Sequence, residues 1–297
     1  MRFTNPASGK NFAKDPAVVH FGGRYLLYHS LPPTPLCQGW SIGIAESTDL
    51  ENWEIIEQLL PTQECEQKGI CAPGAIVLNG KVHLFYQTYG NGALDAICHA
   101  VSEDGVHFEK NSANPVLRPD ATWCCGRAID ADVCLFHGKL LLYFASRDHA
   151  MQVQKVGGAW ALPDSDFTPA DFHPLADQSL LLPEMKWEGS CIEAPATLVH
   201  DDKVWMFYGG SYNCTPQQVG CAVSEDGIHF HRISNQPLLT NGAPGSWNSS
   251  ESGHPYVFED NGRIWLFYQG SPDQGQTWYI SKAEIVFRDG VPHILAE

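Results

Sequence analysis

Five stretches of the chain share one rhythm: a short apolar run, a tight polar turn, then a second apolar run rich in aromatic residues. They span residues 15–30, 72–88, 130–146, 193–211 and 253–271. At their centres stand Gly22-Gly23, Asn79-Gly80, His137-Gly138, Asp201-Asp202 and Asn261-Gly262, pairs that suit two-residue β-hairpins. The apolar runs are nearly continuous, as expected of strands covered on both faces. No sustained helical period interrupts them. Aligned on Tyr28, Tyr86, Tyr143, Tyr208 and Tyr268, the units recur at intervals of 58, 57, 65 and 60 residues.

A second repeat lies between the first ones. Residues 100–108 and 222–230 are near-identical, and 45–53 and 280–287 are looser versions of them. Each supplies a further strand and an aromatic residue, and all but the last a turn between the two. The pattern predicts an all-β fold, a five-bladed β-propeller with about four strands per blade. Phe108, Phe230 and Trp53 are expected to pack between blades. Each blade needs its neighbours to bury its faces, so 1–297 reads as one domain. The Pro- and Gly-rich stretches 32–35 and 240–247 read as loops.

Composition narrows the function. Apolar residues make up 43% and charged residues 18%, a balance of folded rather than disordered chains. A net charge of -16 repels phosphate backbones and argues against nucleic acid as a partner. No stretch approaches the roughly 18 apolar residues of a membrane span. The ten cysteines form no zinc-like set of paired motifs. The N-terminus shows no signal-peptide pattern, so the thiols read as reduced and the protein as cytoplasmic. Nothing in the sequence speaks to oligomeric state.

In a propeller the first strand of each unit lines the central channel, and its first residues ring one mouth. Three of those residues are acidic. Asp15 and Asp130 each lie 13 residues before their tyrosine, and Glu193 lies 15 before its own. A two-residue difference keeps a side chain on the same face of a strand. Asp132 shares that face with Asp130 and is a rival for the third acid. Each acid alone could cap a turn or pair with Lys14, Arg127 or Lys186. Three carboxyls at one mouth, however, disfavour joint ionisation and create a proton donor near neutral pH. Glycoside hydrolysis needs such a set: one carboxylic acid for the leaving oxygen, and one carboxylate to activate water or attack the sugar. Trp40, Trp123, Trp187 and Trp247 stand near blade starts and are candidates to stack on a sugar ring. Arg127 is a candidate to bond a hydroxyl or tune Asp130.

With these residues in place, the chain resembles glycoside hydrolase family 43, the five-bladed arabinofuranosidases, xylosidases and arabinanases. The resemblance runs from Lys14-Asp15-Pro16 through Ala128-Ile129-Asp130 and Ile192-Glu193-Ala194-Pro195 to Gly253-His254. It implies an oligosaccharide substrate and inversion at the anomeric centre. Asp15 is then the general base, Glu193 the general acid, and Asp130 the acid that holds Glu193 and raises its pKa. Base and acid are then expected ~6.5–9.5 Å apart. His254 matches a histidine that, in many members, sits in the channel, contacts substrate and can help hold a calcium ion through water. The hydrolysis itself requires no cofactor. Ala131 stands where many members have proline. The absence of a second β-sandwich favours an arabinofuranosidase over a xylosidase. Two alternatives share the fold: a retaining fructan-type hydrolase, whose Asn-Asp-Pro-Asn-Gly and Arg-Asp-Pro motifs are missing here, and a non-catalytic sugar-binding propeller.

Overall fold

The computed structural model describes residues 1–295. Twenty strands form five four-stranded antiparallel sheets, each continuous in sequence. The sheets are the five blades of a propeller. Their first strands are Lys14–Phe21, Ile70–Leu78, Ile129–Phe136, Ile192–His200 and Glu251–Asp260. These five strands pack against one another in cyclic order around the axis, the fifth returning to the first. The channel-lining role expected of them is met. No helix among the described residues is long and apolar enough to cross a membrane.

Each first hairpin closes through two residues at positive φ, for example Asn79 at 51° and Gly80 at 74°. Such turns match the right-handed twist of the flanking strands. The inter-blade aromatics fall where expected. Phe108 meets Tyr28 of the preceding blade edge-on at 5.6 Å, Phe230 meets Tyr143 at 5.7 Å, and Trp53 meets Phe267 at 6.5 Å. The ring is closed by the N-terminal residues. Phe3 exchanges backbone hydrogen bonds of 2.8 and 2.9 Å with Ile280, on the third strand of blade five. Leu117, Leu181 and Leu239 bridge the third strands of blades two, three and four in the same way. The chain therefore enters blade one as it enters blades three, four and five.

Every first strand carries a register shift near its start. The bulged residue is at positive φ in all five blades: Asp15 at 53°, Ala72 at 46°, Asp130 at 53°, Ala194 at 49° and His254 at 41°. Side chains rarely adopt this region, and holding one there costs on the order of 1–3 kcal/mol. The neighbouring blade supplies a fastening. The amide of Asp15 donates to Gln269 Oε1 at 3.1 Å, that of Ala72 to Ser30 Oγ at 2.7 Å, and that of Asp130 to Gln87 Oε1 at 2.7 Å. Ser30, Gln87 and Gln269 occupy one equivalent position on the second strands of successive blades. In blade five the amide of His254 uses Gln217 Oε1 at 3.0 Å instead. A bulge re-aims the side chain it carries. Here it turns the residues of three blades toward the channel mouth.

Candidate active site

Asp15, Asp130, Glu193 and His254 converge at that mouth from blades one, three, four and five. All four are buried, between 6% and 8% exposed. His254 is the hub. Its Nδ1 lies 3.0 Å from Asp15 Oδ1 and its Nε2 lies 3.2 Å from Glu193 Oε1. Asp15 and Glu193 thus face opposite edges of one imidazole ring. Glu193 also accepts from Gln217 Nε2 at 2.7 Å and from Gln154 Nε2. Lys14 Nζ lies 3.9 Å from Asp15. Asp130 comes within 4.8 Å of both Glu193 and His254, but its Oδ2 is buried without a hydrogen-bond partner.

The reason Glu193 joins this group differs from the expected one. The tyrosines that align the repeat are not equivalent. Tyr28 and Tyr143 pair with Ala17 and Asp132, whereas Phe85, Phe207 and Phe267 fill that position in the other blades. By strand register Ala194 matches Asp15 and Asp130, and Glu193 stands one residue earlier, beside Lys14 and Ile129. The bulge, rather than an even spacing along the strand, brings it to the same mouth.

Charge is distributed unevenly over the three acids. Burial works to raise Asp15, but the charges of Lys14 and His254 outweigh it and hold the carboxyl well below its usual range. Burial pushes Asp130 up to about 7, with Glu193 and Asp15 adding to the effect against His254 and Arg127. Glu193 is buried too, yet the bond and charge from His254, the bond from Gln217 and the charge of Lys14 leave it lowered. Burial disfavours the His254 cation, but the carboxylates of Asp15 and Asp130 hold it well above its ordinary value. Asp130 is expected to raise the Glu193 carboxyl; in this site the Glu193 carboxyl is lowered and Asp130 carries the raised value. His254 stabilises the ionised Glu193, and Asp130, with one bare oxygen, takes the raised pKa.

Asp132 goes elsewhere. Its Oδ2 accepts from Thr197 N at 2.7 Å and Thr197 Oγ1 at 2.5 Å, and it lines the narrow channel cavity shared with Asp15, Asp130 and His254 rather than the pocket that Glu193 lines. Burial pushes it up to about 7. A raised carboxyl contributes stability that is full below the unfolded value near 4 and lost as pH rises through about 7. Asp132→Asn is accordingly expected to stabilise the fold by about 2–4 kcal/mol at pH 8 and by little at pH 4. Urea unfolding at the two pH values checks this.

The candidate sugar-stacking residues divide. Trp40 lines the pocket and leans on Tyr89, with ring centroids 4.9 Å apart. Trp123, Trp187 and Trp247 do not line it. Each indole fills a slot over a strand glycine: a Cβ on Gly157 would meet Trp123 at 2.6 Å, one on Gly210 would meet Trp187 at 2.1 Å, and one on Gly270 would meet Trp247 at 2.3 Å. Trp187 also stacks on Tyr208 at 6.0 Å and donates to Asn235 O at 3.2 Å. These three pack the blades. Arg127 does line the pocket, donating through Nη1 to Gln154 Oε1 at 3.2 Å. Reasoning from the sequence misses Gln154, Gln217, Tyr89, Tyr212 and Arg147. None of them falls at a blade start.

Asp130, Glu193 and His254 each present one atom to a common point. Two carboxylate oxygens and one nitrogen fall short of the six to eight oxygens that calcium takes, and both nitrogens of His254 already face carboxylates. The residues do not by themselves make a calcium cage.

Known proteins give the comparison. The model of glycosyl hydrolases family 43 matches residues 3–288. A thermostable family-43 glycoside hydrolase superposes with a TM-score of 0.77 at 21% identity, over 99% of this chain and 96% of that one. An endo-1,4-beta-xylanase from Bacteroides thetaiotaomicron superposes with a TM-score of 0.76 at 20% identity, over 96% and 94%. At these identities the likeness shows the fold. A sucrose-6-phosphate hydrolase from Zymomonas mobilis subsp. mobilis is 35% identical over 102 residues, 31% of this chain and 20% of that protein. The match thus spans about a fifth of that relative's length. With a family model covering nearly its whole length, and with five blades around one acidic channel mouth, the chain belongs to glycosyl hydrolase family 43.

Proposed function

We propose that the protein hydrolyses α-L-arabinofuranosyl or β-D-xylosyl linkages of plant-type oligosaccharides by single displacement. One observation carries the reading: Asp15 and Glu193 stand across a single imidazole ring at the mouth of an acidic pocket. Inverting chemistry places a sugar carbon and a water molecule between such a base and acid, and a separation of ~6.5–9.5 Å is expected of them.

The roles follow from the environments. Asp15, kept ionised by Lys14 and His254, takes the proton of the attacking water. Glu193 delivers a proton to the departing oxygen. Its own carboxyl is lowered, so the proton must reach it from a neighbour when the leaving oxygen arrives. Asp130, which keeps its proton up to about pH 7, and His254, bonded to Glu193, are the two sources at hand. The sugar ring rests on Trp40 and Tyr89. His254 keeps base and acid apart and holds both in place.

A second reading, retaining fructan-type hydrolysis, is favoured by the 35% match to a sucrose-6-phosphate hydrolase. The stereochemistry of the product separates the two. A panel of nitrophenyl glycosides identifies the sugar, and 1H NMR of the first-formed product is expected to show the inverted anomer. The retained anomer would make Asp15 a nucleophile and overturn single displacement. A chain that cleaves nothing on the panel yet binds oligosaccharides would favour a sugar-binding propeller.

A further inference from the structure

We propose that the sugar taken by this site carries an oxyanion, a carboxylate or a phosphate, seated on Arg147 with Arg127 beside it. The inference rests on the hydrolase reading for the location of the sugar and departs from it on the sugar itself. A uronic acid, which is the xylosyl ring with a carboxylate at C5, or a phosphorylated sugar takes the place of a neutral arabinofuranosyl or xylosyl unit.

Arg147 closes the second strand of blade three, Lys139–Arg147, and lines the same pocket as Asp15, Asp130 and Glu193. Its side chain is half-buried. Its Nε donates to Gln154 Oε1 at 2.8 Å, and its guanidinium lies 5.2 Å from the ring centre of Tyr212. These two contacts fix the plane of the group, and among the described residues neither terminal nitrogen has a hydrogen-bond partner. Among the described residues no carboxylate lies within the 4.0 Å of an ion pair with Arg147. Arg127, 12% exposed, reaches the same Gln154 oxygen at 3.2 Å, and its Nε is 3.7 Å from Asp95.

Two guanidiniums converging on one neutral amide oxygen repel each other. In a chain with 34 acidic and 18 basic residues, a protein carboxylate between them would be easy to supply. None is supplied to Arg147. A guanidinium's planar fork matches a carboxylate or phosphate bidentately, and a neutral hydroxyl uses it poorly. Trp40 and Tyr89, in contact with each other, add aromatic surface to the same pocket. The arrangement suits a ring with one flat face for the aromatics and one anionic substituent for the arginines. The competing role is purely internal: both arginines would hold Gln154, and through it Glu193, for any sugar alike.

Two measurements separate these. The first needs no turnover: titration of the wild type and Arg147→Met with glucose, glucuronate and glucose 6-phosphate, one ring carrying a hydroxyl, a carboxylate or a phosphate. At least one anion is expected to bind wild type ten-fold or more tightly than glucose. Arg147→Met is expected to lose about 10- to 100-fold of that affinity, as for a charge-assisted bond. The anion preferred names the source. The second compares 4-nitrophenyl β-D-glucuronide with 4-nitrophenyl β-D-xyloside, which differ by the carboxylate alone. If the carboxylate is the substituent selected, the ratio of kcat/KM favours the glucuronide and collapses in Arg147→Met through KM. If the phosphate is selected, the titration alone carries the proposal. Equal binding of all three sugars, or anion binding unchanged in Arg147→Met, overturns the proposal. So does a fall in kcat alone, equal for both glycosides, which assigns Arg147 to positioning. Anion binding that depends on Arg147 without hydrolysis of any glycoside supports the anion site and sinks the hydrolase reading instead.

Discussion

Glu193→Gln is expected to lose about 10²–10⁴-fold in kcat, the usual contribution of a positioned general acid or base. The loss should be largest on natural linkages and smaller on nitrophenyl glycosides, whose leaving groups need little protonation. Glutamine keeps the shape of the side chain and can still accept from His254 and Gln217, the bonds that now reach Glu193 Oε1. It also removes a buried charge. The fold should survive, so unchanged circular dichroism with lost activity marks a chemical defect. Kinetics on substrates of graded leaving-group pKa check the prediction. A loss equal across all leaving groups would place Glu193 outside proton donation.

His254→Ala carries the largest expected effect on stability. The ring pairs with Asp15 at 3.0 Å and Glu193 at 3.2 Å, and all three are buried. Removing one partner of a buried ion pair typically costs about 3–5 kcal/mol because the other charge is left uncompensated. The effect depends on pH. The His254 pKa is raised in the folded chain, so its contribution is present below the ordinary value of 6.5 and is lost only as pH rises through the elevated one. Asp15 and Glu193 are lowered, so their contribution is present above their ordinary values of 3.8 and 4.5 and is lost as pH falls. Both conditions hold at pH 7. The deficit of the variant should be near full there and smaller at pH 4, where the unpaired carboxyls of the variant begin to protonate while the wild type keeps its pairs until pH falls through the lowered values. Denaturant midpoints at the two pH values test this. A deficit independent of pH would mean that the ring acts by packing alone.

How far the sequence revealed this site depends on the scale of the feature. The five hairpins were legible because each carries a two-residue turn of unambiguous chemistry. The inter-blade contacts of Phe108, Phe230 and Trp53 were legible because their repeat sits at a fixed place in the blade. Register was not. Tyr86 and Tyr208 stand one residue later than Tyr28 and Tyr143 and serve another purpose, donating to the buried Glu66 and Glu188 at 2.7 and 2.8 Å. A bulge has no side-chain signature, so counting along a strand placed Glu193 beside Asp130 for the wrong reason.

The tryptophans show a similar limit. Trp123, Trp187 and Trp247 follow polar loop residues and resemble sugar platforms in sequence. What decides their fate is a glycine on a strand far along the chain, which opens a slot under each indole. The glutamines were hidden for the opposite reason. Gln87 and Gln269 recur directly after the aligned tyrosines, a periodicity that could have been read, but a neutral polar residue in an apolar run draws little notice. Gln154, which joins Glu193 to Arg127 and Arg147, has its repeat partner in Gln217, two residues before Val219 as Gln154 is before Val156, but the two stand outside the hairpins that align the repeat.

The most direct test sets Asp15→Asn, Glu193→Gln and Asp132→Asn beside the wild type on whichever glycoside the enzyme cleaves. The account predicts that the first two lose at least ~100-fold in kcat while folded, and that Asp132→Asn stays within a few-fold of wild type. Full activity in Asp15→Asn or Glu193→Gln, or a comparable loss in Asp132→Asn, would contradict the assignment of base and acid across His254.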